Sequence, residues 1–250
     1  MAFSIAVAGK GGTGKTTISS LMIGYLVRNG KVPILAVDAD ANANLSEGLG
    51  LEVRETVGSV LAEFETNKIS IPPGMPKETY LDFRLNEILV EGKGVDLLVM
   101  GRGEGSGCYC YPNAVLRKYL DDLSGNYRYL VIDNEAGMEH LSRRTTRDID
   151  VLLIISDPTL KGIRTAGRIK QLATELDLNI NAVQLVVNRV TGELPTELKE
   201  EIGKQELRLI GTVPADESVY QCDLRQKPLI GLDCTPASAA VRAIAEALGI

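Results

Sequence analysis

Seven short apolar runs recur along the chain: Ser4–Ala8, Pro33–Val37, Asp96–Met100, Tyr129–Ile132, Val151–Ile155, Val183–Val187 and Leu207–Thr212. Each is rich in β-branched residues or leucine, with little polar alternation. That is the pattern of strands buried on both faces. Amphipathic segments of helical length lie between them, at Lys15 to about Arg28, Asn113–Leu123, Lys161–Leu176 and Pro195–Lys204. An alanine-rich helix, Ala237–Leu248, closes the sequence. Strand–helix alternation of this kind predicts an α/β fold, a doubly wound and mostly parallel sheet flanked by helices, as one domain over 1–250. Two stretches break the rhythm. Thr66–Gly94 contains Pro72, Pro73 and Pro76 and is expected to be an irregular insertion. Gly101–Tyr111 carries four glycines straight after a strand, which makes it a loop at the carboxyl end of the sheet, where open α/β sheets bind ligands.

Composition narrows the class. A hydrophobic content of 44% excludes disorder, and the most apolar stretches, such as Ile18–Val27, are too short to cross a bilayer. Lys10 interrupts the apolar run Phe3–Gly9, so no signal peptide is expected. A net charge of −6 argues against coating nucleic acid or binding anionic lipid by bulk attraction. Four cysteines in 250 residues are too few for a disulfide scaffold and suit a reducing cytoplasm.

The turn after the first run carries the clearest chemistry. Gly9-Lys10-Gly11-Gly12-Thr13-Gly14-Lys15-Thr16 fits G-x-x-x-x-G-K-[ST] between a strand and a helix, with Thr17 following. Glycines let the backbone curl so that successive N–H groups face phosphate, and the helix N-terminus adds partial positive charge. Lys15 supplies a mobile cation to the phosphates, and Thr16 a hydroxyl for Mg²⁺. Asp38 and Asp40 end the second strand in V-D-A-D. Beside a phosphate loop, such a pair suits two tasks: one carboxylate organises Mg²⁺ and its waters, the other orients the attacking water. Tyr129–Asp133 is a hydrophobic strand ending in aspartate, the Walker B arrangement, and Asp133 is expected to hold Mg²⁺ through water. The following segment leads to Gly137, whose N–H is placed to sense a γ-phosphate.

Cys108 and Cys110 lie two apart on the glycine-rich loop. Two thiolates at that spacing can converge on one soft metal where the backbone is flexible, with a structural or redox role as the alternative reading. Two ligands fall short of the four a structural zinc takes, and a symmetric dimer resolves the shortage by bringing a second pair to the same point. Planar thiolates suit Ni(II) and tetrahedral ones Zn²⁺; the residues leave both open. Cys222 and Cys234 lack a flanking motif and are expected to be buried packing residues. His140, the one histidine, is expected on an exposed helix surface, with a relay of nucleotide state as the alternative.

The run from Lys10 to Thr17, with its early second lysine, resembles the deviant Walker A loop of the P-loop ATPase superfamily that includes MinD, ParA and the nitrogenase iron protein. Taken with C-Y-C at 108–110 and D-N-E-A-G-M-E-H-L at 133–141, the whole chain resembles the nickel-insertion accessory ATPases of carbon monoxide dehydrogenase and acetyl-CoA synthase, the CooC and AcsF types. The resemblance implies an ATP- and Mg²⁺-dependent homodimer in which Lys10 reaches the partner's nucleotide. It also implies Ni²⁺ or Zn²⁺ held between subunits and a client nickel enzyme. It assigns water positioning to Asp40, outer-shell Mg²⁺ binding to Asp38, and adenine recognition to Asn188 and Pro214, for which a strand-end turn and a loop proline are the alternative readings. An electron donor like the nitrogenase iron protein, or a MinD/ParA-like positioning ATPase, shares the nucleotide machinery. The first draws cluster cysteines from switch II, where this chain has Asn134 and Glu135; the second needs a basic face or basic C-terminal helix, and Ala237–Ile250 carries only Arg242 as a cation.

Overall fold

The computed structural model describes residues 2–40, 42–65, 71–101, 118–135, 148–176 and 178–250. Among the described residues the seven apolar runs supply seven strands of an eight-stranded sheet, the short β3 being the addition: β1 (Phe3–Gly9), β2 (Ile34–Asp38), β3 (Val90–Glu91), β4 (Val95–Val99), β5 (Tyr129–Asp133), β6 (Asp148–Ser156), β7 (Asn179–Val190) and β8 (Leu209–Pro214). Their spatial order is β3-β4-β2-β5-β1-β6-β7-β8, and every pairing is parallel except the short β3–β4 edge. The mostly parallel, doubly wound architecture expected from the sequence is the one observed.

Both sheet faces are apolar because successive residues of a strand point to opposite sides. On one face Ile5, Val7 and Ile34 pack with α1 (Lys15–Arg28), α2 (Leu45–Leu49) and, at the chain's end, α8 (Pro236–Ala247). On the other face Ala6, Ala8 and Leu35 pack with α3 (Val57–Glu65), α4 (Lys77–Glu87), α5 (Leu160–Glu175) and α6 (Thr196–Lys204). One further helix, α7 (Glu217–Leu224), follows β8 and buries none of its residues. A helical segment at 118–124 is the described end of the helix expected at Asn113–Leu123.

The stretch 66–94 departs from expectation. Its prolines precede rather than disrupt regular structure: Pro76 caps α4 in an extended conformation, and Leu81 and Leu85, four apart, bury the same helix face. β3 then adds a two-residue antiparallel edge, so the described residues outside helix and strand are the part before α4 and the short turns on either side of β3. The last strand lies two residues later than expected, Leu209–Pro214 in place of Leu207–Thr212.

The topology brings three strand ends together. β1 lies between β5 and β6, and β2 pairs with β5 on the far side, so β1, β5 and β2 end side by side. Asp38 and Asp133 are direct register partners, and Val7 pairs with Asp133 one strand over. Crevices of this kind, outside the carboxyl ends of parallel strands, are where such sheets bind ligands.

Candidate functional site

The turn from Gly9 to Gly14 wraps the end of β1, with φ of +79° at Gly12 and +91° at Gly14, values that L side chains rarely adopt. Space demands glycine as well: a Cβ on Gly14 would fall on Asn188 Nδ2, and one on Gly9 on the Ile155 carbonyl. The Lys10 carbonyl is the hub of the loop. It accepts from Thr13 N at 3.3 Å, from Thr13 Oγ1 at 2.8 Å and from Lys15 Nζ at 3.5 Å. Lys15 is buried, whereas Lys10 is exposed. Gly14 occupies the N-cap of α1 without a side chain to satisfy the first-turn N–H groups, which leaves them for an anion.

Behind the loop sit the two carboxylates. Asp133 is 1% exposed; Ser19 Oγ donates to its Oδ1 at 3.2 Å, and its Oδ2 has no hydrogen-bond partner. Burial pushes its pKa up to about 7. The neighbouring Asp38 charge pushes the same way, while Thr16, Lys15 and Ser19 oppose. Asp38 is fully buried, accepts from Asp40 N at 3.0 Å and Leu45 N at 2.8 Å, and is raised to about 6, again by burial first. Leaving a buried carboxylate oxygen unpaired is costly unless something else completes it. Two facing carboxylates, an orphan oxygen and the Thr16 hydroxyl form an all-oxygen donor set, which fits a hard divalent cation such as Mg²⁺ held partly through water. Asp40, half-buried two residues beyond Asp38, accepts from Asn42 N at 2.9 Å and Asn42 Nδ2 at 3.1 Å.

A groove of about 940 Å³ runs between the start of α1, at Thr16 and Thr17, and α7. Thr16, Thr17, Asn188, Arg189, Pro214 and Tyr220 are among its lining residues, so the expected adenine residues Asn188 and Pro214 share one groove with Thr16 and Thr17 at the start of α1. The structure gives Asn188 further work: it is buried, and its amide braces the loop, with Nδ2 donating to the Thr13 carbonyl at 2.8 Å.

Cys108, Cys110, Gly137 and His140 lie outside the described residues, as does the loop 102–111. Among the described residues there is no group of three or more His, Cys, Asp or Glu able to hold a metal ion. Cys222 and Cys234 are not core residues as expected: Cys222 is half-buried and lines the groove, and Cys234 is exposed with φ +56°. Their surroundings explain this, because α7 buries nothing and Cys234 sits in the turn before α8. Sequence reasoning missed Ser19, four residues past Lys15 on the same face of α1, and Arg189, which follows Asn188 directly. Among the described residues no helix is long and apolar enough to cross a membrane.

A family model described as the CobQ/CobB/MinD/ParA nucleotide binding domain matches residues 4–229. An uncharacterized ATP-binding protein of Methanocaldococcus jannaschii is 46% identical over 230 residues, covering 91% of this chain and 90% of its own. The carbon monoxide dehydrogenase accessory protein CooC of Rhodospirillum rubrum is 31% identical over 255 residues, with 98% of this chain and 94% of that one covered. Among solved structures, the septum site-determining protein MinD of Pyrococcus horikoshii, complexed with Mg-ADP, has a similar fold. It matches with a TM-score of 0.71 at 20% identity, over 98% of this chain and 95% of that one.

Proposed function

The chain belongs to the CobQ/CobB/MinD/ParA family of nucleotide-binding proteins, and from that premise we propose that it is a Mg²⁺-dependent ATPase that works as a homodimer and handles nickel or zinc for a client metalloenzyme. One observation carries the nucleotide part: the unpartnered Oδ2 of buried Asp133, set beside Asp38, Thr16 and Lys15 at the foot of a glycine-built cradle. Lys15 moves from the Lys10 carbonyl to the phosphates, Thr16 and Asp133 hold the cation, and Asp38 orders its waters. When bound, Mg²⁺ neutralises charge that develops on the phosphates. Half-buried Asp40 orients the attacking water. Asn188 and Pro214 receive the adenine, and the Gly137 N–H senses the terminal phosphate.

The metal part rests on Cys108-x-Cys110 in the sequence and on the 31% likeness to CooC over nearly the whole chain. Two chains facing one another place four thiolates around one ion, with Lys10 of each chain reaching the other's nucleotide. Nucleotide-dependent separation of the two loops then changes metal affinity, so that hydrolysis is coupled to loading or release. Equilibrium dialysis against Ni²⁺ or Zn²⁺ tests this. The wild type should hold one ion per two chains. Cys108→Ser/Cys110→Ser should hold none while binding ATP normally, and stoichiometric metal retained by that variant refutes the site.

A further inference from the structure

Arg189 has a left-handed backbone, φ +58°, at the point where the β7–β8 register slips between Asn188 and Val190. A bulge re-aims the side chain of its extra residue, and left-handed backbone is unfavourable for any residue but glycine. Such an outlier points to a task for the side chain kept there. Here the exposed Arg189 turns back over the phosphate loop, and its Nη1 donates to the Gly12 carbonyl at 3.0 Å. Asn188 holds the next carbonyl, that of Thr13, and its Oδ1 accepts from Arg189 N at 2.9 Å. Two consecutive residues of the strand end thus grip two consecutive carbonyls of the loop.

A trans peptide is planar, so its N–H points opposite to its C=O. Turning the Gly12 carbonyl toward β7 therefore turns the Thr13 N–H inward, where it donates to the Lys10 carbonyl at 3.3 Å and closes the loop, and turning the Thr13 carbonyl the same way turns the Gly14 N–H away from β7. Glycines on both sides of Thr13 would otherwise let these planes flip at small cost. We infer that Arg189 is a positioning residue for phosphate binding: it acts through the loop backbone, fixing the Gly12–Thr13 peptide so that the loop is held in its phosphate-binding curl. The inference rests on the nucleotide reading above and adds a residue to it.

Arg189→Gly separates this role from a structural one, because glycine adopts φ +58° freely while losing the guanidinium. The measurements are titrations with Mg-ATP and with Mg-tripolyphosphate, which has neither base nor ribose, steady-state hydrolysis, and thermal unfolding without nucleotide. The expected result is an unchanged or higher Tm with about tenfold weaker binding of both ligands, and KM raised about tenfold at nearly constant kcat. Arg189→Lys, which keeps one charged donor, should recover most of the loss. Unchanged binding overturns the inference. So does loss of ATP affinity alone, which would mean contact with base or ribose, and so does a fall in Tm that lysine does not repair. A wild-type protein that binds no ATP would instead sink the nucleotide reading itself.

Discussion

Asp133→Asn removes the most perturbed carboxylate of the site, and its effect on the nucleotide-free protein follows from the structure. In the unfolded chain the carboxyl titrates near its ordinary 3.8; in the fold, burial holds it at about 7. Between those values the folded state binds a proton that the unfolded state does not, so Asp133 costs stability as pH rises and the whole cost is present above pH 7. At 1.36 kcal/mol per pH unit the full cost is on the order of 4 kcal/mol. Asparagine is free of it, but its new Nδ2 replaces an oxygen that already lacked a partner, which adds a pH-independent penalty. The clean quantity is therefore the change in the variant's advantage with pH. From pH 5.5 to pH 8 it should grow by about 2 kcal/mol, or roughly 4–8 °C in Tm for a chain of this size. With no tryptophan present, far-ultraviolet circular dichroism in chelator is the suitable assay. A difference between variant and wild type that stays flat over that range would refute the claim that Asp133 is held protonated by burial.

Other expectations follow from the same geometry. Asp40→Ala should leave ATP affinity within about threefold and cut hydrolysis about a hundredfold in single-turnover measurements, the loss typical of a removed water-orienting group. Gly14→Ala should abolish the rise in Tm that Mg-ADP gives the wild type, since the added Cβ meets Asn188 at a backbone angle that alanine rarely adopts. Cys222, lining the groove, should be alkylated more slowly when Mg-ADP is bound, while exposed Cys234 reacts at an unchanged rate, as peptide mass mapping would show.

The central strands and the phosphate loop were legible because each carries its physics in local residue types. Short valine, isoleucine and leucine runs suit strands buried on both faces, and the Gly9–Thr16 spacing suits little but a phosphate cradle. The aspartates ending β2 and β5 were legible for the same reason, although their lateral register depends on a strand order that no local pattern states. Helix α4 was hidden by the prolines before it, whose effect is to start a helix rather than to forbid one. Helix α7 was hidden because it buries no residue and so prints no apolar stripe. Arg189 was invisible as a functional residue: its position over the loop comes from a bulge and a left-handed φ, properties of backbone path rather than residue type. Cys222 misled because the buried default for a free cysteine ignores a helix lying along an open groove.

The most direct test of the account weighs the assembly itself. Native mass spectrometry of the Asp40→Ala protein with Mg-ATP and Ni²⁺ should find two chains, two nucleotides and one nickel ion, and the nickel should vanish with Cys108→Ser/Cys110→Ser. A mass that stays at one chain, whatever nucleotide and metal are supplied, would contradict it.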